Sequence, residues 1–293
     1  CDALGVEKSQ VLKQLYLPFS KASKSLSSRS LASSLMARTS TLAVVADNGV
    51  AERYYIPVVF HVYGEMFTCE DAAKSCLTDE KIVDALQRLN EDFQGTNTQD
   101  GPIAPEFQAI RENLNIEFIL AKKSPSGDDS TGIVRYDREQ AGYGNGTGAD
   151  SEIAADAWDN TKYMNVYIMN DLYDDGGTTN SGVAWYPDIN MTQANTSRVV
   201  YNGWYVGDNT DENFRSVLTH EFGHWLNLPH TFSGDTCSLE NETFCALTGD
   251  NNCDTPQMSL STDMYENSPN CLGQPTNTEN FMHYTKCNCI FHT

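Results

Sequence analysis

No stretch of this 293-residue sequence approaches the roughly eighteen uninterrupted apolar residues that a membrane helix needs, and no secretory h-region is present. A transmembrane segment is therefore not expected, and any signal peptide is expected to be already removed. Basic residues are scarce: 19 Lys and Arg stand against 40 Asp and Glu, for a formal net charge of -21. A body of that sign repels nucleic acid, which excludes DNA- or RNA-binding roles. Pairs of the C-x-x-C type are missing, so structural zinc ribbons lack their ligand spacing. The nine cysteines that are present point instead to disulfides and an extracytoplasmic compartment.

The charge is unevenly spread. Residues 1 to 53 hold seven Lys or Arg against four acids, whereas residues 54 to 293 hold twelve against thirty-six. The first region, in which serine recurs from Ser20 to Ser40, reads as a leader or pro-segment with a linker over 1–52. The remainder, 53–293, reads as the packed domain; twelve Phe, fourteen Tyr and four Trp in the chain can furnish a sizeable core. Cys1 has three readings: a lipid-modified first residue, a thiolate that blocks a metal in a latent form, or a spare half-cystine. The lipid anchor is favoured, so the chain is expected to be secreted or membrane-anchored, and monomeric. Cys69 and Cys76 read as a local disulfide, while Cys237, Cys245, Cys253, Cys271, Cys287 and Cys289 allow several pairings among which the sequence does not choose.

Hydrophobic patterning places the elements. The near-continuous apolar run from Tyr54 to Tyr63 predicts a central strand, with His61 expected in the core. Thr78 opens a helix whose apolar face is Ile82, Ala85, Leu86 and Leu89. Further strands are predicted at 115–121, 133–136, 164–169, 182–187 and 198–202, the one ending at Pro187 suiting a sheet edge. Four glycines between Gly142 and Gly148 predict a flexible loop, without the Lys-Ser/Thr of a phosphate loop. Strands and helices mix without βαβ regularity, which gives an α+β fold class.

The chemistry lies in the run His220-Glu221-Phe222-Gly223-His224, followed by His230. With six His and seventeen Glu in the chain, H-E-x-x-H arises by chance with odds on the order of one in a hundred, and the third His at its offset makes chance rarer still. Asn209 and Glu212 can cap a helix of four to five turns that carries Phe214, Val217, Leu218, Phe222 and Trp225 on its buried stripe. On such a helix His220 and His224 share one face and can bind zinc, while Glu221 reaches a zinc-bound water rather than the metal. Glu-assisted attack of that water on a polarised carbonyl is peptide-bond hydrolysis. For His230 to join them the helix must stop and reverse. Asn227 stands where a left-handed residue is needed, with Pro229 beyond it.

The extended motif, together with Asn280-Phe281-Met282-His283-Tyr284, resembles a metzincin. Within that clan the chain is similar to the pappalysin family, particularly its cytophagalysin-like bacterial branch. The supporting segments are Ile56 to Val62, Leu89-Asn90-Glu91-Asp92-Phe93, His230-Thr231-Phe232 and Asp254-Thr255-Pro256. The resemblance implies a zincin-like catalytic domain with a mixed twisted sheet, an active-site helix and a methionine turn at Met282. It divides 53–293 into an N-terminal subdomain, 53–230, and a disulfide-rich C-terminal one, 231–293, expected to be cut short at Thr293. It implies that Tyr284 hydrogen-bonds the developing oxyanion, and that peptide or protein substrates add antiparallel to an edge strand, for which Gly182 to Trp185 is the candidate. It further implies structural calcium at Asp254 and Thr255, and activation of a zymogen by cleavage near Glu52-Arg53. Two departures from the family pattern are His283 in place of Asp and Thr285-Lys286-Cys287-Asn288-Cys289 in place of acids, and the second argues against arginine-directed specificity.

Three rival readings are a non-catalytic secreted binding protein on a zinc-stabilised fold, a member of another metzincin family, and a hydrolase of small amides. Retention of Glu221 argues against the first, the flanking segments against the second, and the implied peptide cleft against the third.

Overall fold

The computed structural model describes residues 53–67, 76–97, 105, 107–207, 216–233, 250–252, 255, 258 and 280–284. The segment 1–52 with Cys1, the half-cystine Cys69, the capping pair Asn209 and Glu212, Asp254, and the six late cysteines lie outside the described residues.

Six strands form one mixed sheet: β1 (Tyr54–Tyr63), β2 (Ile116–Leu120), β3 (Ile133–Tyr136), β4 (Met164–Met169), β5 (Gly182–Ala184) and β6 (Val199–Asn202). Their order is β2-β1-β4-β6-β5, with β3 also paired to β1. β2 matches Tyr54 to Val58 and β3 matches Phe60 to Tyr63, so the ten-residue β1 carries two short strands end to end on one side and β4 on the other. Pairings of β1 with β2, β3 and β4, and of β4 with β6, are parallel; only β5 runs antiparallel, against β6, as the edge strand. Pro57 is tolerated inside β1 for a local reason. The N–H groups of Tyr54 and Phe60 point to the β2/β3 side, so alternation turns the Pro57 nitrogen to the β4 side, one residue before β4 joins at Val58.

Alternation along the strands divides the core in two. Val58, Phe60, Val62, Val166, Ile168, Ala184, Val199 and Tyr201 face one way, into a cluster shared with α1 (Asp79–Phe93) and α4 (Val217–Trp225). Tyr63, Tyr167, Met169, Val183 and Val200 face the other, against Tyr143, Leu172 and Ile153 of α2 (Asp150–Asp156). α1 begins where its cap predicts, Thr78 Oγ1 accepting from Lys81 N at 3.3 Å, and buries Ile82, Ala85, Leu86 and Leu89. Its Asn90 side chain pairs with both the N–H and the C=O of Phe118 at 2.8 Å, covering the outer edge of β2.

α4 is described over nine residues from Val217, and the part of the predicted helix before Ser216, with Phe214, lies outside the described residues. Two features differ from the sequence reading. Two short helices, α2 and α3 (Ile189–Ala194), were not expected; neither has an apolar stripe, α2 burying Ile153 alone and α3 nothing. The glycine-rich segment is tied down rather than loose. The buried Arg198 guanidinium donates to the carbonyls of Tyr143, Asn145 and Gly146 at 2.8–2.9 Å and to Thr196 O at 2.8 Å, and lies 3.8 Å over the Trp185 ring.

On the face opposite α4, His61 is fully buried between the rings of Tyr136 and Tyr167. Asn165 Oδ1 already accepts from Trp158 N, and its amide nitrogen donates to Trp158 O, so its orientation is fixed. His61 Nε2 must then donate to Asn165 Oδ1 at 2.9 Å, and Nδ1 accepts from Tyr136 Oη at 3.0 Å. Burial pushes this imidazole down to about 4, against the pull of Asn165. The unfolded chain therefore takes up this proton first. The stability held by neutral His61 is complete above pH 6.5 and is lost as pH falls toward 4, by about 3 kcal/mol. The gap in unfolding free energy between the wild type and His61→Phe should accordingly shrink between pH 6.5 and pH 4; a gap that is constant over this range refutes the buried neutral assignment.

Candidate active site

α4 packs its helix face onto the sheet through Leu218 and Phe222, the latter edge-on to Phe118 at 4.8 Å. It is pinned to α1 by one buried polar contact: Thr219 Oγ1 donates to Asp92 Oδ2 at 2.6 Å, and Asn97 Nδ2 holds the other carboxylate oxygen at 2.5 Å. Neither partner was singled out as functional in the sequence, because nothing local links positions 92 and 219. Together they set the rotation of the helix, and with it the direction of His220, Glu221 and His224, all three buried.

The helix ends in a double backbone closure. Leu228 N donates to Gly223 O at 2.9 Å and Asn227 N to His224 O at 2.8 Å, the two bonds of a Schellman motif. Asn227 sits between them at φ 77°, in the left-handed region. The same reversal serves the site directly, because Leu228 O accepts from His224 Nδ1 at 2.7 Å. It also brings His230 back over the helix, where its ring stacks on Phe232 at 4.8 Å and 7°.

A second reversal comes from far along the chain. In 280–284, His283 N donates to Asn280 O at 2.9 Å and Met282 N to Asn280 Oδ1 at 2.8 Å, so the segment folds into a tight turn. Its Phe281 carbonyl accepts from His220 Nδ1 at 2.6 Å, and its Met282 carbonyl accepts from Thr231 N at 3.2 Å. Met282 is buried in the cluster that holds Phe222 and Phe281. Tyr284 follows with its ring 4.6 Å from that of His230 and 5.6 Å from that of His220.

These contacts decide where the protons are. A carbonyl can only accept, so Nδ1 carries the hydrogen in both His220 and His224. Burial lowers both rings, His220 well below its ordinary value and His224 to about 4, so each is neutral with a bare lone pair on Nε2. His230, lowered to about 2 by burial, brings its own Nε2 to 3.0 Å from that of His224 and 3.2 Å from that of His220. A neutral His230 can offer one hydrogen at most, to one of two lone pairs. Three imidazole nitrogens so arranged fit a cation. Tetrahedral zinc with nitrogens at about 2.0–2.1 Å sets them about 3.3 Å apart, close to the spacing found. Among the described residues no other group of three His, Cys, Asp or Glu side chains converges in this way.

Glu221 is buried, its Oε1 lacks a hydrogen-bond partner, and burial pushes its carboxyl up to about 8. A cation beside it favours the ionised form and so works against that shift. Tyr186, not singled out in the sequence, closes one side with its ring edge-on to His224 at 5.5 Å; burial, then the charge of Glu221, pushes its phenol up to about 12. Of the other expected site residues, Thr255 is half-buried and Asp254 is outside the described residues. Cys76 is disulfide-bonded, and the expected partner Cys69 is outside them too.

The Peptidase M43 family, described as pregnancy-associated plasma protein-A, matches residues 147–293. An extracellular metalloprotease of Colletotrichum graminicola is 25% identical over 244 residues, covering 80% of this chain and 70% of the relative. That of Verticillium alfalfae is 28% identical over 247 residues, 80% of this chain and 69% of its own. Among solved structures, mature mirolysin of Tannerella forsythia in complex with a cleaved peptide superposes with a TM-score of 0.65 at 26% identity, covering 81% of this chain and 87% of the other. Promirolysin of the same organism superposes with a TM-score of 0.64 at 26% identity, over 81% and 76%.

The left-handed conformation at position 227 has a measurable cost. Asn227→Gly is expected to hold or raise thermal stability, whereas Asn227→Ala is expected to lower it by about 1–2 kcal/mol and to loosen metal retention, since the turn places the rings of His224 and His230. Denaturant melts and metal titrations on both variants check this; an alanine variant equal to glycine in both would show that the turn is not under that constraint.

Proposed function

The chain belongs to the Peptidase M43 (pregnancy-associated plasma protein-A) family and is a metalloendopeptidase, and from that premise we propose that His220, His224 and His230 hold its zinc ion while Glu221 serves as general base. One observation carries this reading: three imidazole Nε2 atoms face a common point, two of them with Nδ1 committed to carbonyl oxygens. Zinc held there supplies Lewis acidity, acidifying a water molecule and polarising the scissile carbonyl.

The chain's own residues do the rest. Glu221 takes the proton from the attacking water and passes it to the departing amine nitrogen. Its enclosure strengthens its hold on that proton between the two transfers. Tyr284, against His220 and His230, donates to the charge that develops on the carbonyl oxygen. Met282, in the turn that carries the Phe281 carbonyl, floors the site as the methionine turn, and residues 231–293 make up a disulfide-rich C-terminal subdomain. An extended peptide adds antiparallel to β5, an edge strand of the described sheet beside α4. The solved relative with a cleaved peptide supports a substrate of this kind.

We further place the enzyme outside the cytoplasm, in line with the names of its fungal relatives. Among the described residues no helix is long and apolar enough to cross a membrane. Segment 1–52 is proposed as the zymogen leader, since a pro-form exists for a structural relative. Calcium at Asp254 and Thr255 completes the reading.

Incubation with a proteome-derived peptide library, followed by mapping of new termini, should give cleavage that Glu221→Ala reduces by about 10³-fold with zinc content unchanged. Tyr284→Phe should lower kcat by about 10²-fold with little change in KM. Cleavage that survives Glu221→Ala would overturn the mechanism. N-terminal sequencing of the active form should begin close to Arg53, and full activity with an intact Cys1 terminus would refute the leader assignment.

A further inference from the structure

Gly182 heads the edge strand, and its backbone gives no reason for glycine: its φ is outside the left-handed range. The reason is space. A β-carbon at position 182 would lie 2.8 Å from Glu221 Cγ, 3.1 Å from Glu221 Oε1 and 2.8 Å from Tyr201 Cδ2. Gly182 pairs with Tyr201 across the β5/β6 ladder, so the missing side chain and the tyrosine ring belong to the same face, the one covered by α4. Tyr201 is fully buried, and its hydroxyl donates to Tyr205 O at 3.3 Å. Glu221 is enclosed on the other side. A methyl group here meets the middle of the Glu221 side chain and a locked ring, neither of which can step aside cheaply.

We propose that Gly182 is a positioning residue for the Glu221 carboxylate: the bare α-carbon at the start of β5, with the Tyr201 ring across the ladder, forms the slot in which the base lies. The inference rests on the role given to Glu221 above. It also accounts for β5 being the strand beside the reaction, since the residue nearest the base on that strand has no side chain to interpose. A displacement of the carboxylate by about 1 Å costs about 10²-fold in rate while leaving the binding edge in place.

The test uses the zinc-loaded full chain in four forms: wild type, Gly182→Ala, Glu221→Ala and the double variant. Gly182→Ala is expected to keep its zinc stoichiometry, to lose about 10²-fold in kcat and to hold KM within about threefold. It is also expected to lower Tm by about 5 °C in the wild-type background and by clearly less in the Glu221→Ala background, where the opposing Cγ is gone and only the Tyr201 contact remains. If Gly182→Ala does not fold while the double variant does, the contact stands. A kcat within about threefold of wild type overturns the proposal. So do equal Tm shifts in the two backgrounds, or failure of both alanine-182 variants to fold. Should the wild-type chain cleave no peptide, the protease reading falls by itself, and the Tm cycle still decides whether Gly182 makes room for Glu221.

Discussion

The structure depends on one electrostatic demand: three neutral imidazoles must point their Nε2 lone pairs at the same place. Left alone these lone pairs repel, so the rings have to be held from behind. Two carbonyls do this, Leu228 O for His224 and Phe281 O for His220, each supplied by a different chain reversal. Because a carbonyl fixes the tautomer as well as the ring, the two turns settle which nitrogen faces inward. Segment 280–284, about sixty residues from the helix in sequence, is therefore part of the three-histidine cluster.

Holding the rings would achieve little if the helix could roll. α4 is short, nine residues, and most of what orients it comes from outside. The Thr219–Asp92 contact fixes its rotation against α1, and Phe222 seats it against Phe118. Gly182 and Tyr201 approach it from the sheet edge. On the far side of the sheet, Arg198 clamps the glycine-rich loop and the Trp185 ring, and Tyr186 next in the chain lies against His224. A continuous line of packing thus runs from a buried arginine to a histidine of the three-imidazole cluster through two consecutive aromatic residues.

How much of this was legible in the sequence follows from the range of each signal. β1, β4 and α1 announce themselves through apolar runs or a 3.6-residue stripe, and Thr78 and Asn227 through the backbone conformations that caps require. The H-E-x-x-H spacing is local, so it too could be read directly. α2 and α3 carry no apolar stripe, being anchored by a single residue or none, and escaped for that reason. Parallel pairing of β1 with three strands, the Asp92–Thr219 contact and the grip of Arg198 on its loop are relations between distant positions. No single stretch of sequence contains them.

Glu221 shows why the least legible part matters most. A carboxylate with an enclosed, unpartnered oxygen destabilises a fold unless a charge nearby compensates it. Among the described residues, the three-histidine cluster is the group suited to bring such a charge. Among the described residues none adds a donor to that oxygen; they exclude water and leave a shape, with Gly182 contributing an absence. A hydrogen-bond donor in that slot would stabilise the folded chain and fix the carboxylate to the wall. The local rule that buried polar atoms find partners is broken here at Glu221 Oε1, beside the three-histidine cluster.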